Sequence, residues 1–298
     1  MARRDAKDRL RRLTETLESL YARYNHRRLI SPDPLQFVYH YRKPRDMEIA
    51  GFLAAALAYG RVQQIEKSVS NLLGRMAGSP HDYVRDFGRA QRRSLQDFKH
   101  RFNTGNDIAD LLVLLKWVLD EYGSIEQYFC RCSGPDDDTV IPALARFCDS
   151  LTEMHARRRR GNVSTGLMYL LSSPTRGSAC KRLNLFLRWM VRDDDVDAGV
   201  WKSVDKARLI VPVDVHMGRL CRILGLYSQK TVSLAAARKI TESFREVAPD
   251  DPVRYDFALS RIGIIEDCSG KYAARCQGCE LYGYCLKREN WQNGPARP

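Results

Sequence analysis

At 298 residues with 44% hydrophobic content, the chain is long enough to bury a sizeable core in one two-lobed unit. It carries 49 Lys+Arg against 36 Asp+Glu, a formal net charge of +13, which favours a polyanionic partner without choosing between DNA, RNA and an acidic membrane surface. No apolar run reaches the roughly 18 residues of a membrane span and the charged start Met1–Leu10 lacks a signal-peptide core, so the chain reads as soluble and cytoplasmic, with nine cysteines as thiols or metal ligands rather than disulfides.

The pattern predicts helices almost throughout. Residues 5–24, with Leu10, Leu13, Leu17, Leu20 and Tyr21 among charges, form an amphipathic helix. A break at Pro32 and Pro34 precedes a long helical stretch from Asp46 to Met76, apolar nearly all round between Ile49 and Tyr59, with Gly60 as a candidate split. Tyr83–Arg101 reads as a basic helix or loop whose Arg89, Arg92, Arg93, Lys99 and Arg101 suit a solvated face. Asp107–Tyr122 and Thr139–His155 are further buried helices. Arg157–Arg160 suits either phosphate contact or plain solvation.

The most informative stretch follows. Val163–Leu171, the breaker-rich Ser172-Ser-Pro-Thr-Arg-Gly177-Ser178 and Ala179–Arg192 read as helix, hairpin and helix. The second helix is apolar except for a stripe at Lys181, Asn184 and Arg188, which faces solvent or a cleft. Arg192–Asp197 and Trp201–Arg208 make an excursion, and Leu209–Val213 is the sole candidate strand. A helix is expected to restart at Pro212 with Asp214 in its first turn, where a carboxylate is held ionised and is either a cap or a catalytic base. His216 reads as a packed histidine, Lys181 as either a stem covering the helix or a reactive amine, and Lys202 as the reserve amine. Ser233–Val247 and Pro252–Ile265 are the last helices before a loop dense in sulfur.

In that loop Cys268, Cys276, Cys279 and Cys285 follow C-x7-C-x2-C-x5-C, a spacing that points to one shared metal centre. With a single C-x2-C pair, a 4Fe-4S cluster is favoured over a tetrahedral zinc. Cys130, Cys132, Cys148, Cys180 and Cys221 read as core residues.

Three of these elements resemble, in the same order, the helix-hairpin-helix base-excision DNA glycosylases of the endonuclease III superfamily. Lys181-x-x-Asn184 is similar to the family's catalytic-lysine helix, Val213-Asp214-Val-His216 to its V-D-T-H motif, and the cysteine tail to its C-x6-C-x2-C-x5-C loop; together they cover about a third of the chain. The usual Leu-Pro-Gly-x-Gly hairpin is replaced, and the longer separation of Lys181 from Asp214 is more like the archaeal 8-oxoguanine glycosylase branch.

The resemblance implies an all-α, two-lobed helix-hairpin-helix glycosylase-like fold with a C-terminal metal-cluster loop of four cysteines at 268–285. One lobe would span 30–192 and the other 1–29 with 193–298. It implies a monomeric repair enzyme on double-stranded DNA containing a damaged base, an oxidised one among the candidates. Lys181 would be the Schiff-base nucleophile with AP-lyase activity, Asp214 its assistant, and Arg176, Gly177, Ser178 and Arg182 the DNA contacts. Burial and the neighbouring Arg182 and Arg188 would favour the neutral amine. Two other readings stay open: a non-catalytic DNA- or RNA-binding iron–sulfur protein, and an electron-transfer protein.

Overall fold

The structure, a computed structural model, describes residues 2–159, 161, 163–229, 231–265, 268 and 273–286. Arg160 and Asn162 of the arginine run, residues 269–272 of the cysteine loop, residues 1, 230, 266 and 267, and residues 287–298 lie outside them. Most of the described residues are helical, as the apolar periodicity predicts, and none of the described helices is long and apolar enough to cross a membrane.

Helix α1 (Ala2–Tyr24) buries Leu13, Leu17 and Leu20. The expected long helix is two, α2 (Pro44–Ala56) and α3 (Val62–Gly74), parted at Gly60, whose φ of +98° a side chain would resist. Likewise the basic stretch resolves into α4 (Pro80–Arg85) and α5 (Arg89–Ser94), followed by a small antiparallel hairpin, β1 (Lys99–His100) and β2 (Asn103–Thr104). Helix α6 (Gly105–Tyr122) starts on a capping box in which Thr104 and Asp107 satisfy each other's backbone N–H, and it buries Ile108, Leu111, Leu112, Leu115 and Val118 completely. Its first residue must be glycine, because a Cβ at Gly105 would fall 1.7 Å from the Leu95 carbonyl oxygen.

Helices α7 (Ile125–Arg131) and α8 (Val140–Arg158) follow. The helix-hairpin-helix stretch becomes the short α9 (Thr165–Leu170), a 3-10 turn at Pro174–Arg176, and α10 (Lys181–Val191). After the excursion come α11 (Val215–Ile223), α12 (Leu234–Arg245) and α13 (Asp256–Ile265). Leu209–Val213 is not a strand: it is buried without a ladder, and the Val211 N–H is taken by the Thr241 hydroxyl at 3.0 Å.

The core is one continuous apolar cluster in which α10 packs on α2 and α13 is flanked by α1 and α11. Glu18 ties α1 to the start of α13 by accepting from Arg254 at 2.9 Å and from the Tyr255 hydroxyl at 2.6 Å. The polar stripe of α10 does not reach solvent at its C-terminal end. Arg188 is buried between Asp197, 3.2 Å from its Nε, and Asp256, while Arg192 is buried among Asp194, Asp197 and Asp251. These pairs fold the excursion back on α10, where the amides of Ala198 and Trp201 bond the carbonyls of Trp189 and Met190 at 2.9 and 2.7 Å.

Candidate active site

Lys181 opens α10 and Asp214 is the N-cap of α11, rather than a residue of its first turn as the position of Pro212 suggested. The Asp214 Oδ1 accepts from the amides of His216 and Met217, both at 2.9 Å, which fixes the carboxylate. Its Oδ2 is then turned toward the Lys181 Nζ at 3.5 Å. Both side chains are about one-third exposed, 34% and 38%. Both line one cleft of about 730 Å³, within the size range of small-molecule sites.

Lys181 is thus a one-third-exposed amine in an ion pair rather than a buried one. The two neighbouring arginines are engaged elsewhere in the fold. Arg182 is 8% exposed, its guanidinium hydrogen-bonded to the carbonyls of Ala56 and Tyr169 and, at 2.8 Å, to the Ser172 hydroxyl. It therefore builds part of the cleft wall, with its guanidinium engaged inside the protein. Arg188 lies at the cleft floor with Asp256, whose carboxyl burial pushes up to about 6 despite Arg188, with Asp214 adding to the rise.

The hairpin residues divide. Arg176 and Gly177 are exposed, with Gly177 in the left-handed region at φ +76°, and Ser178 borders the cleft with its hydroxyl accepting from the Cys180 amide at 3.0 Å. Thr175 anchors this turn to α8 through Asp149 at 3.0 Å. Cys180, immediately before the lysine, also has a left-handed backbone, φ +52°, which for a non-glycine residue costs on the order of 1–3 kcal/mol. His216 is exposed rather than packed, hydrogen-bonded to Arg219 at 2.9 Å. Lys202 pairs with Asp193 at 2.8 Å and does not border the cleft.

Two charge runs that looked unrelated meet at one carboxylate. Arg92 of α5 and Arg159, just after α8, both bond Asp110 Oδ1, at 2.6 and 2.9 Å. Cleft residues that spacing did not reveal are Tyr59, Tyr169 and the Arg188–Asp256 pair; the polar stripe of α10 was the only sign of the last.

The four tail cysteines are all free and partly buried. Burial raises the Cys279 thiol, the Leu281 backbone hydrogen bond lowers it, and the charges of Cys268, Cys276 and Cys285 add to the rise. Among the described residues no three His, Cys, Asp or Glu side chains are gathered as a ready metal-ion site.

Residues 33–265 match the model of a family described as a protein of unknown function, DUF2400, and this match covers most of the chain, so the chain belongs to that family. No curated protein and no solved structure matches it.

Proposed function

Proceeding from a DUF2400 chain whose cleft joins a lysine to an aspartate, we propose a DNA repair glycosylase with AP-lyase activity and a helix-hairpin-helix glycosylase-like fold. The observation that carries the reading is the approach of Lys181 Nζ to Asp214 Oδ2 at 3.5 Å, from two separate helix starts, inside a cleft large enough for a nucleotide. A damaged nucleotide must leave the stack before its glycosidic carbon can be attacked. Asp214 then takes a proton from the Lys181 ammonium, the amine bonds C1′ of the sugar as the C1′–N bond breaks, and the base departs with that bond's electron pair and the proton Asp214 held, which leaves Asp214 a carboxylate again. One N–H proton passes through Asp214 to O4′ as the C1′–O4′ bond breaks, leaving a protonated Schiff base on Lys181; loss of a C2′ proton then expels the 3′ phosphate with the C3′–O electron pair. The restored Asp214 carboxylate stabilises the positive charge of the Schiff base.

Arg176 and Gly177, exposed and next in sequence to the cleft-bordering Ser178, would take backbone phosphates, and the surplus of positive charge supports a double-stranded DNA partner. Cys268, Cys276, Cys279 and Cys285, all free thiols, would hold a 4Fe-4S cluster, which takes four thiolates. Bound there, such a cluster would supply a covalent tie for the tail, whose Leu286 amide bonds the Ile223 carbonyl of α11 at 2.8 Å.

Borohydride reduction in the presence of an oligonucleotide carrying an abasic site or an oxidised base tests the reading. Wild-type protein should be captured on the DNA and Lys181→Gln should not; equal capture removes Lys181 from the chemistry. A second reading, a DNA or RNA binder without chemistry, is favoured by the ion pairing of Lys181, and it predicts binding with no captured adduct.

A further inference from the structure

The rim of the cleft carries an aromatic surface that the lysine–aspartate pair does not use. Strands β1 and β2 pair His100 with Asn103, leaving Arg101 and Phe102 as the turn, with Arg101 at φ +55°. The turn holds Phe102 outward, 51% exposed. Its ring is nonetheless fixed, with its centroid 4.7 Å from Tyr169 and 5.5 Å from Tyr59. Those two tyrosines are 4.9 Å apart and both border the cleft. The Arg182 guanidinium backs them, 4.2 Å from the Tyr169 ring and 5.1 Å from the Tyr59 ring. The Tyr59 hydroxyl locks the hairpin in place by donating to the His100 carbonyl at 3.1 Å.

Around this ring cluster the surface is basic. Lys99, Arg101 and Arg61 are exposed, and no carboxylate among the described residues forms a salt bridge with any of them. Arg101 lies over Gly60 at the cleft edge, so closely that a methyl there would come 2.9 Å from its Cδ. The ring cluster exposes one phenylalanine and part of one tyrosine, and the exposed Val62, Val215 and Val232 continue the apolar lining along the cleft. The cations at Lys99, Arg101 and Arg61 favour a polyanion over an uncharged partner on this rim, and a fixed ring flanked by exposed cations is how proteins hold unpaired nucleotides.

We propose that Phe102 and Tyr169 form a ledge that stacks one unpaired nucleobase of the strand beside the cleft, with Arg101 on its phosphate. The ledge deepens the nucleic-acid reading of the cleft and rests on it, but it does not depend on the lysine chemistry.

The test compares a fluorescein-labelled duplex bearing one unpaired thymine with the fully matched duplex, read by polarisation without borohydride. Wild-type protein should prefer the unpaired probe. Phe102→Ala should lose about tenfold in affinity for that probe, with thermal unfolding unchanged, and Phe102→Trp should restore it. Arg101→Gln should weaken binding to both probes and flatten the salt dependence. Equal affinity of Phe102→Ala and wild type, or no preference by wild type, overturns the ledge. So does Phe102-dependent binding to phosphatidylserine vesicles without any preference for the unpaired probe. Protein that shows the preference yet captures no adduct under borohydride keeps the ledge and rejects the lysine; protein that captures an adduct without the preference does the reverse.

Discussion

Asp214 faces two ways: Oδ1 closes the start of α11 on the amides of His216 and Met217, while Oδ2 stands 3.5 Å from the Lys181 ammonium. The two roles are separable because they use different oxygens. Asp214→Asn retains a capping oxygen and should cost no more than about 0.5 kcal/mol of stability, whereas Asp214→Ala should cost about 1 kcal/mol. Both should lower base excision about 100-fold or more, since neither can accept the lysine proton. Thermal unfolding and single-turnover excision measured side by side check this; an active Asp214→Asn reduces the residue to a helix cap.

The floor of the cleft is held by a buried guanidinium with two carboxylates. Arg188→Ala leaves Asp256 in the interior without its cation and Asp197 with Arg192 alone, and should destabilise by about 3–5 kcal/mol in urea titration. Lys202→Ala removes an exposed pair with Asp193 and should stay within about 0.5 kcal/mol.

Much of the helical framework was legible because burial repeats with the helical period, as in Ile108, Leu111, Leu112 and Leu115 of α6. The meeting of Lys181 and Asp214 was legible only through motif order, for nothing in the spacing of residues 181 and 214 fixes a distance. The hairpin at 99–104 was hidden, since strands of two residues are too short to alternate. Arg182 and Arg188 were read as charges acting on the lysine because their partners come from elsewhere: the Ala56 carbonyl for the one, Asp256 for the other. The aromatic rim was equally hidden, as Tyr59, Phe102 and Tyr169 come from three unrelated segments.

A pH dependence follows from Glu48, buried in α2 and accepting from the Ile125 and Glu126 amides at 3.1 and 2.8 Å and from the Trp201 indole at 2.7 Å. Burial pushes its carboxyl from 4.5 up to about 7 despite those donors. Between these values the native protein keeps a proton that the unfolded chain has released, so for this group the contribution to stability is fully present below pH 4.5 and is lost as pH rises through 7. The loss amounts to about 3 kcal/mol. Asp256, raised to about 6, acts in the same direction. Urea titrations from about pH 5 to 8 should show the decline, and Glu48→Gln should flatten it.

The tail thiols should act as one unit. Anaerobically reconstituted wild-type protein should show the broad visible absorption of an iron–sulfur centre, and Cys279→Ser should lose most of it because the proposed cluster takes four thiolates. Cys130→Ser should keep it. A colourless protein with one zinc would assign the site to a single metal ion instead.

The central claim is that the Lys181 amine bonds the sugar, and locating the bond tests it most directly. Protein captured by borohydride on abasic DNA is digested with protease and nuclease, and the lysine bearing the reduced sugar remnant is identified by mass spectrometry. The remnant is predicted on Lys181; its appearance on Lys202 or another amine, or on none, would contradict the account.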